Sequence, residues 1–302
     1  MTRVAAVDCG TNSIRLLVAD VVEGRLVDVH REMRIVRLGQ GVDRTGMLAP
    51  DALERTFAAL RSYVPLMAGA ERVRMVATSA TRDAANALEF VEGCAAILGV
   101  SPEVVAGEEE ARLSFLGATA ELDLPAPYAV CDIGGGSTEF VLGTTGVEQA
   151  ASVDVGCVRL TERRLRTDPP PDAELDAAVA DVALALDGVD VEVGRAATFV
   201  GLAGSVTTVT ALALGLTAYD PAAIHLARVS AERVEDVTAR LLAMPRTERA
   251  ALPVMHPGRV DVIGAGALVL REVMRRWSLP EVVASERDIL DGIALSVAAP
   301  PG

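Results

Sequence analysis

The strongest constraint on this chain is a segment that occurs twice. Residues 4–20, VAAVDCGTNSIRLLVAD, align without a gap with residues 128–144, YAVCDIGGGSTEFVLGT. Asp8 stands with Asp132, Gly10 with Gly134 and Ser13 with Ser137. Each copy reads apolar strand, Asp, glycine-containing turn with Ser, apolar strand, which is a hairpin pattern. The offset is close to half of the 302 residues, so the spacing predicts two lobes built on one plan.

The rest of the chain alternates strands with helices, which makes the class α/β. In the first half Val4–Asp8 and Ile14–Asp20 form a hairpin, and Val21–Val29 continues as strand. Pro50–Met67 carries Leu53, Phe57, Leu60 and Val64 at helical spacing. Arg72–Ser79 is a strand, and Asp83 opens a helix that buries Leu88, Val91, Ala95 and Leu98 and stops at Gly99. Val104–Ala106 is a short strand. After Pro125 and Pro127 come strands at Tyr128–Ile133, Thr138–Leu142 and Val147–Val155. Helices follow at about 158–166 and 172–186, a strand at Thr198–Leu202 and a helix from Gly204. Helices at about 230–243 and 259–276, a strand at Glu281–Ala284 and a helix at Glu286–Val297 complete the pattern. Ala196–Tyr219 carries no charge and reaches the ~20 residues of a membrane span. Gly201, Gly204 and Ser205 interrupt it, so it reads as a buried strand, turn and helix.

Composition enters through what it removes. All 28 cations are Arg, and no Lys is present. A Schiff base and a phosphate-loop lysine are therefore excluded. Formal charge is −14, which argues against generic nucleic-acid or anionic-membrane binding. Part of that excess is local: residues 167–194 hold eight acids and no Arg, around Pro169–Pro171 and a solvated helix face. Cys9, Cys94, Cys131 and Cys157 lie far apart with no C-x-x-C, and only three His occur. Neither a zinc site nor a disulfide framework is expected, and free thiols fit a cytoplasmic protein. Asp8 interrupts any apolar leader at the N-terminus, so no secretory signal is expected.

The two turns can bind phosphate without lysine. Glycine lets successive backbone N–H groups converge on an anion, and Ser and Thr hydroxyls add donors. A carboxylate beside the turn can hold Mg²⁺ or a water. Two ordinary β-turns are the plainer reading, and the matched Asp in both copies argues against it. A third element is Ala77–Asn86, where Arg82 sits between a strand and a helix start and can bond phosphate bidentately. A fourth is Gly107-Glu108-Glu109-Glu110. Its acids complement a helix N-terminus; placed in a cleft, one of them could act as a general base, and clustering would raise its pKa.

These segments, in this order, resemble the exopolyphosphatase / guanosine pentaphosphate phosphatase (Ppx/GppA) family, a branch of the superfamily of actin, sugar kinases and heat-shock chaperones. The resemblance rests on Asp8–Leu17, Ala77–Asn86, Gly107–Leu113 and Asp132–Glu139. It extends over Ser152–Glu162, Gly201–Thr208, Asp261–Ala267 and Ser285–Ala294, nearly the whole chain. It implies two duplicated actin-like (ribonuclease H-like) lobes with an interlobe cleft. The first lobe is expected at 1–123, joined by the last helix at about 286–302, and the second at 124–285.

The resemblance further implies an exopolyphosphatase that removes the terminal phosphate of inorganic polyphosphate. Glu110 matches the general base and Arg82 a phosphate-contacting arginine. Asp132 and Glu139, with Asp8, match positions associated with Mg²⁺ or Mn²⁺. Thr11, Asn12, Ser13 and Arg15 match one phosphate loop, Gly134, Gly135, Gly136 and Ser137 the second, and Gly204 and Ser205 a third. Family members are often homodimers. The chain stops at 302, where longer members carry helical C-terminal domains, so short polyphosphate chains are the expected substrate. Guanosine pentaphosphate hydrolysis is the alternative within the family. A non-catalytic polyphosphate or nucleotide sensor, or a small-molecule kinase, are alternatives outside it.

Overall fold

The computed structural model describes residues 2–298. Two compact units form: residues 2–120 with 288–298, and residues 121–287. The expectation that the last helix runs to 302 extends, at 299–302, outside the described residues.

The first unit is built on a sheet of β1 (Thr2–Cys9), β2 (Ser13–Val22), β3 (Arg25–Ile35), β4 (Arg72–Ala77) and β5 (Glu103–Val104). The order is β3-β2-β1-β4-β5. β1–β3 are antiparallel neighbours, while β4 runs parallel to β1. The sequence pattern predicts strand through Val21–Val29; the chain instead turns at Glu23 and Gly24, both with positive φ (51° and 80°). This is the tight hairpin geometry that such residues support.

β1 reads as a nearly continuous apolar run because both faces of the sheet are covered. Ala5, Val7 and Cys9 share a core with α1 (Pro50–Tyr63) and α2 (Ala87–Leu98). Val4 and Ala6 share another with α3 (Gly107–Thr119) and with residues 289–294 of the C-terminal helix. In α2 the expected apolar face is partly wrong. Phe90 and Cys94 are buried, while Leu88, in the first turn of a helix that begins at Ala87 rather than Asp83, is 65% exposed. Gly99 does end it, at φ 73°.

The second unit repeats the plan. β6 (Tyr128–Ile133), β7 (Thr138–Gly143) and β8 (Val147–Val153) are antiparallel neighbours, and β9 (Thr198–Leu202) runs parallel to β6. With β10 (Arg228–Ser230) and β11 (Glu281–Ala284) the order is β10-β11-β9-β6-β7-β8. Its first-copy counterpart β3-β2-β1-β4-β5 matches β8-β7-β6-β9-β11 strand for strand. Around it lie α4 (Cys157–Arg164), α5 (Asp172–Asp187), α6 (Ala203–Ala213), α7 (Ala231–Ala243) and α8 (Ile263–Arg276). The uncharged stretch 196–219 supplies β9 and α6, and no described helix is long and apolar enough to cross a membrane. α9 (Ile289–Ala298) belongs to the first unit.

Candidate functional site

In the first unit β1 delivers Asp8 to the turn Gly10–Asn12. The Gly10 amide donates to the Ser13 carbonyl at 2.9 Å. The Thr11 carbonyl accepts from the Gly39 amide (2.8 Å), and the Asn12 carbonyl from the amides of Val36 (3.0 Å) and Arg37 (2.9 Å). A planar trans peptide holds its N–H opposite its C=O. Fixing these carbonyls turns the Asn12 and Ser13 amides to the other side. The Thr11 hydroxyl bonds the Ser79 hydroxyl at 2.9 Å. Gly39 must lack a side chain there, since a Cβ would lie 2.3 Å from the Thr11 methyl.

Arg82 closes a short helix (Ser79–Arg82) after β4. Its Nη1 donates to the Val105 carbonyl at 2.9 Å and to Glu110 Oε2 at 3.2 Å. The three glutamates at the start of α3 do not form the acid cluster that the sequence suggests. Successive helix positions point about 100° apart, so Glu108 is exposed and Glu109 lies 3.5 Å from Arg74. Glu110 alone is buried, beside a guanidinium.

Asp8 and Arg15 face each other across the β1–β2 ladder. Arg15 Nε and Nη2 donate to Asp8 Oδ2 at 2.9 and 2.6 Å, and Nη1 pairs with Asp288. The Arg15 guanidinium thus bonds two carboxylates of its own unit. Asp8 Oδ1 is buried without a hydrogen-bond partner. Burial raises the Asp8 pKa, and the charge of Arg15 opposes that shift.

In the second unit the duplicated turn carries the same bond, from the Gly134 amide to the Ser137 carbonyl at 3.0 Å. Its carbonyls are held by the start of α4. Gly134 accepts from the Cys157 amide (3.0 Å), and Gly135 from the amides of Val158 (2.9 Å) and Arg159 (3.1 Å). Gly136 accepts from Arg159 Nε at 2.6 Å. The amides of Gly135, Gly136 and Ser137 are thereby turned away from α4, in the arrangement of a backbone nest. The approach is close enough that a Cβ on Gly156 would lie 2.6 Å from the Gly135 carbonyl.

Asp132 and Glu139 are opposed across the β6–β7 ladder, both buried. Glu139 Oε1 accepts from the Ser152 hydroxyl at 2.8 Å. Opposed ladder positions share a face, so two hard oxygen donors stand together, which suits a divalent cation. The duplication makes the contrast plain: the position opposite the Asp is Arg15 in one unit and Glu139 in the other. Among the described residues no three His, Cys, Asp or Glu side chains gather as a metal group. Asp8 Oδ2, in the first unit, is engaged by Arg15.

The third expected loop follows β9. Ala203 adopts φ 65°, an unusual value for a residue with a Cβ, and α6 begins. The Ser205 hydroxyl is buried against Gly266, where a Cβ would lie 2.1 Å from it. Arg259 takes the exposed part of this loop. Its Nη1 donates to the Gly204 carbonyl (3.1 Å) and Thr208 Oγ1 (3.2 Å), and its guanidinium lies flat against Gly204. Arg159 and Arg259 are the groups that sequence reasoning leaves without a role. Each lies in a matched segment or beside one, but its partner loop is distant in the chain, so no local pattern signals the contact.

The Ppx/GppA phosphatase family matches residues 17–299, and the chain belongs to that family. Exopolyphosphatase 2 of Mycobacterium tuberculosis is 54% identical, with 99% of both chains covered. The crystal structure of an exopolyphosphatase-like protein is 46% identical, with TM-score 0.95 over 98% of this chain and 97% of that one. The Ppx/GppA family member of Aquifex aeolicus is 31% identical, with TM-score 0.84 over 98% and 97%. Each unit is accordingly an α/β lobe of the actin, sugar-kinase and heat-shock chaperone architecture.

Proposed function

We propose that the chain is an exopolyphosphatase, hydrolysing the terminal phosphoanhydride of inorganic polyphosphate to orthophosphate. The observation that carries this is Glu110: one carboxylate of three, buried at a helix start and held by Arg82. The similarity to Exopolyphosphatase 2 over 99% of both chains supports the same substrate class.

Glu110 takes the proton of the attacking water as general base. Arg82 orients that carboxylate through Nη1 and meets the phosphoryl group with the rest of its guanidinium. The turn at Thr11, Asn12 and Ser13 and the nest at Gly134–Ser137 bind phosphoryl oxygens through backbone amides. Arg259 supplies positive charge beside Gly204. Asp132 and Glu139 would hold Mg²⁺ or Mn²⁺, and the bound ion would supply charge neutralisation at the phosphoryl oxygens. Catalysis of this kind is mainly positioning and electrostatics. The reading takes the cytoplasm as its compartment, supported by four free, buried thiols. It takes a homodimer as its working state, which rests on the family resemblance and is tested by light scattering.

The deciding experiment measures orthophosphate release from short polyphosphates of defined length, with guanosine pentaphosphate as a parallel substrate, for the wild type and Glu110→Gln. Expected is release from polyphosphate that falls about 10²–10⁴-fold in the variant, with KM changed little. Faster release from the nucleotide would favour guanosine pentaphosphate hydrolysis. No release from either would favour a sensor, and unchanged turnover in Glu110→Gln would remove Glu110 as base.

A further inference from the structure

The two duplicated turns share one device. In each, the carbonyls of the two middle residues, Thr11 and Asn12 in the first unit and Gly135 and Gly136 in the second, are captured from behind, which turns the following amides to the opposite side. In the first unit the captors are all backbone amides, and the Asn12 carbonyl receives two, from Val36 and Arg37. Its counterpart in the second unit, the Gly136 carbonyl, accepts instead from a side chain, Arg159 Nε at 2.6 Å. The peptide between Gly136 and Ser137 carries the third amide of the nest, and among the described residues no backbone amide holds its carbonyl as Val36 and Arg37 hold that of Asn12.

We propose that Arg159 is a positioning residue for the phosphate loop, setting the Gly136–Ser137 peptide so that the Ser137 amide points at the substrate phosphate. This rests on the reading of Gly134–Ser137 as a phosphate loop. The placement of Arg159 is itself well determined. Its own amide donates to the Gly135 carbonyl, so backbone and side chain of one residue grip two consecutive peptides of the loop. The side chain is 12% exposed, and Asp154, an exposed acid, stands 3.9 Å from Nη2. Gly156 keeps α4 close enough for both bonds.

The donating atom is Nε, which makes hydrogen bonding separable from charge. Glutamine carries an amide nitrogen the same number of bonds from its backbone, without the charge. Methionine places a methyl there, and lysine places a methylene there while keeping the charge. Four variants are compared on short polyphosphate, with inorganic phosphate as product inhibitor and thermal unfolding as the folding control: Arg159→Gln, Arg159→Met, Arg159→Lys and Arg164→Ala. Arg164 is on the same helix and pairs with Asp181 away from the loop.

Expected is an increase of about tenfold or more in KM and in the phosphate inhibition constant for Arg159→Met, the loss of one oriented donor. Arg159→Gln stays within about threefold of wild type, Arg159→Lys falls with Met, and Arg164→Ala matches wild type. The proposal is overturned if Lys rescues and Gln does not, since charge would then be the cause. It is equally overturned if Met changes only the unfolding temperature and active fraction, or if Arg164→Ala shows the same loss. Where Arg159→Met does not fold, the opposed expectations for Gln and Lys decide alone. If the wild type releases no orthophosphate, the proposed function fails separately. Binding of inorganic phosphate, followed by calorimetry on wild type and Arg159→Met, still tests Arg159: weaker binding to the variant supports it and equal binding overturns it.

Discussion

His256 accepts a hydrogen bond from the Gly258 amide on Nδ1 at 3.1 Å, capping the short helical turn that delivers Arg259. The bond needs a neutral ring, since a protonated Nδ1 is a donor. Burial, with the charge of Arg259 behind it, lowers the His256 pKa from 6.5. The unfolded chain therefore binds the proton first as pH falls. The contribution of His256 is fully present above about pH 6.5 and is lost as pH drops through the lowered folded value. His256→Asn keeps a capping oxygen and removes the titration. We expect the urea midpoint of wild type to fall more between pH 7.5 and pH 5 than that of the variant; equal falls would refute the assignment. A similar separation of roles by single residues marks the duplicated ladder pairs. Asp8 opposite Arg15 is an internal ion pair, whereas Asp132 opposite Glu139 is a pair of oxygen donors. The repeat made Asp8 and Asp132 look equivalent in sequence, and one residue across the ladder separates them.

At the scale of elements, α3 and α9 pack through glycine on both sides. A Cβ on Gly117 would lie 1.8 Å from the Asp288 carbonyl oxygen, and one on Gly292 would lie 1.9 Å from that of Leu113. The obstacle is backbone in both cases, so a methyl can be admitted only by moving a helix. Gly117→Ala should destabilise by about 3 kcal/mol and lower phosphate release as well, because α3 carries Glu110. Gly146→Ala, where a Cβ meets nothing within 4 Å, should stay within about 0.5 kcal/mol of wild type. Denaturant midpoints at unchanged slope check both, and a neutral Gly117→Ala would disprove the packing argument. Elements of this kind were partly legible from the sequence. Long periodic segments such as Asp172–Asp187 and the strands flanking the glycine turn fall where their patterns place them. β10, three residues long, carries too little pattern to register. Spacing groups Leu88 with Val91, Ala95 and Leu98, but Leu88 stands in the first turn of α2, where it is exposed.

For the whole molecule, the repeat made the architecture legible, since two copies of one hairpin imply two units with one topology. The candidate site was legible only as a set of loops, and the bonds that aim those loops were not. Arg15 and Asp288 are separated by 273 positions and Arg259 and Gly204 by 55, and chain-local patterns are blind to such pairs. The same distance effect makes the first unit discontinuous. Ile289, Leu290, Ile293 and Ala294 complete the core that Val4, Ala6, Leu17, Ala19, Val76 and Leu113 begin. Asp288 and Asp291 add ion pairs to Arg15 and Arg31. Without α9 one face of that sheet would expose a row of fully buried apolar side chains, a loss of about 1.5–3 kcal/mol for each large one. A chain ending at Arg287 should therefore lose hydrogen-exchange protection in β1, β2 and α3, and with it phosphate release. β6, β7 and β9, whose core is assembled within residues 129–284, should keep their protection. Ile293→Asp should reproduce the pattern in the full-length chain, because it places one unpaired charge in the same core. Protection retained in β1 and β2 by either protein would show that the first unit folds without its C-terminal helix.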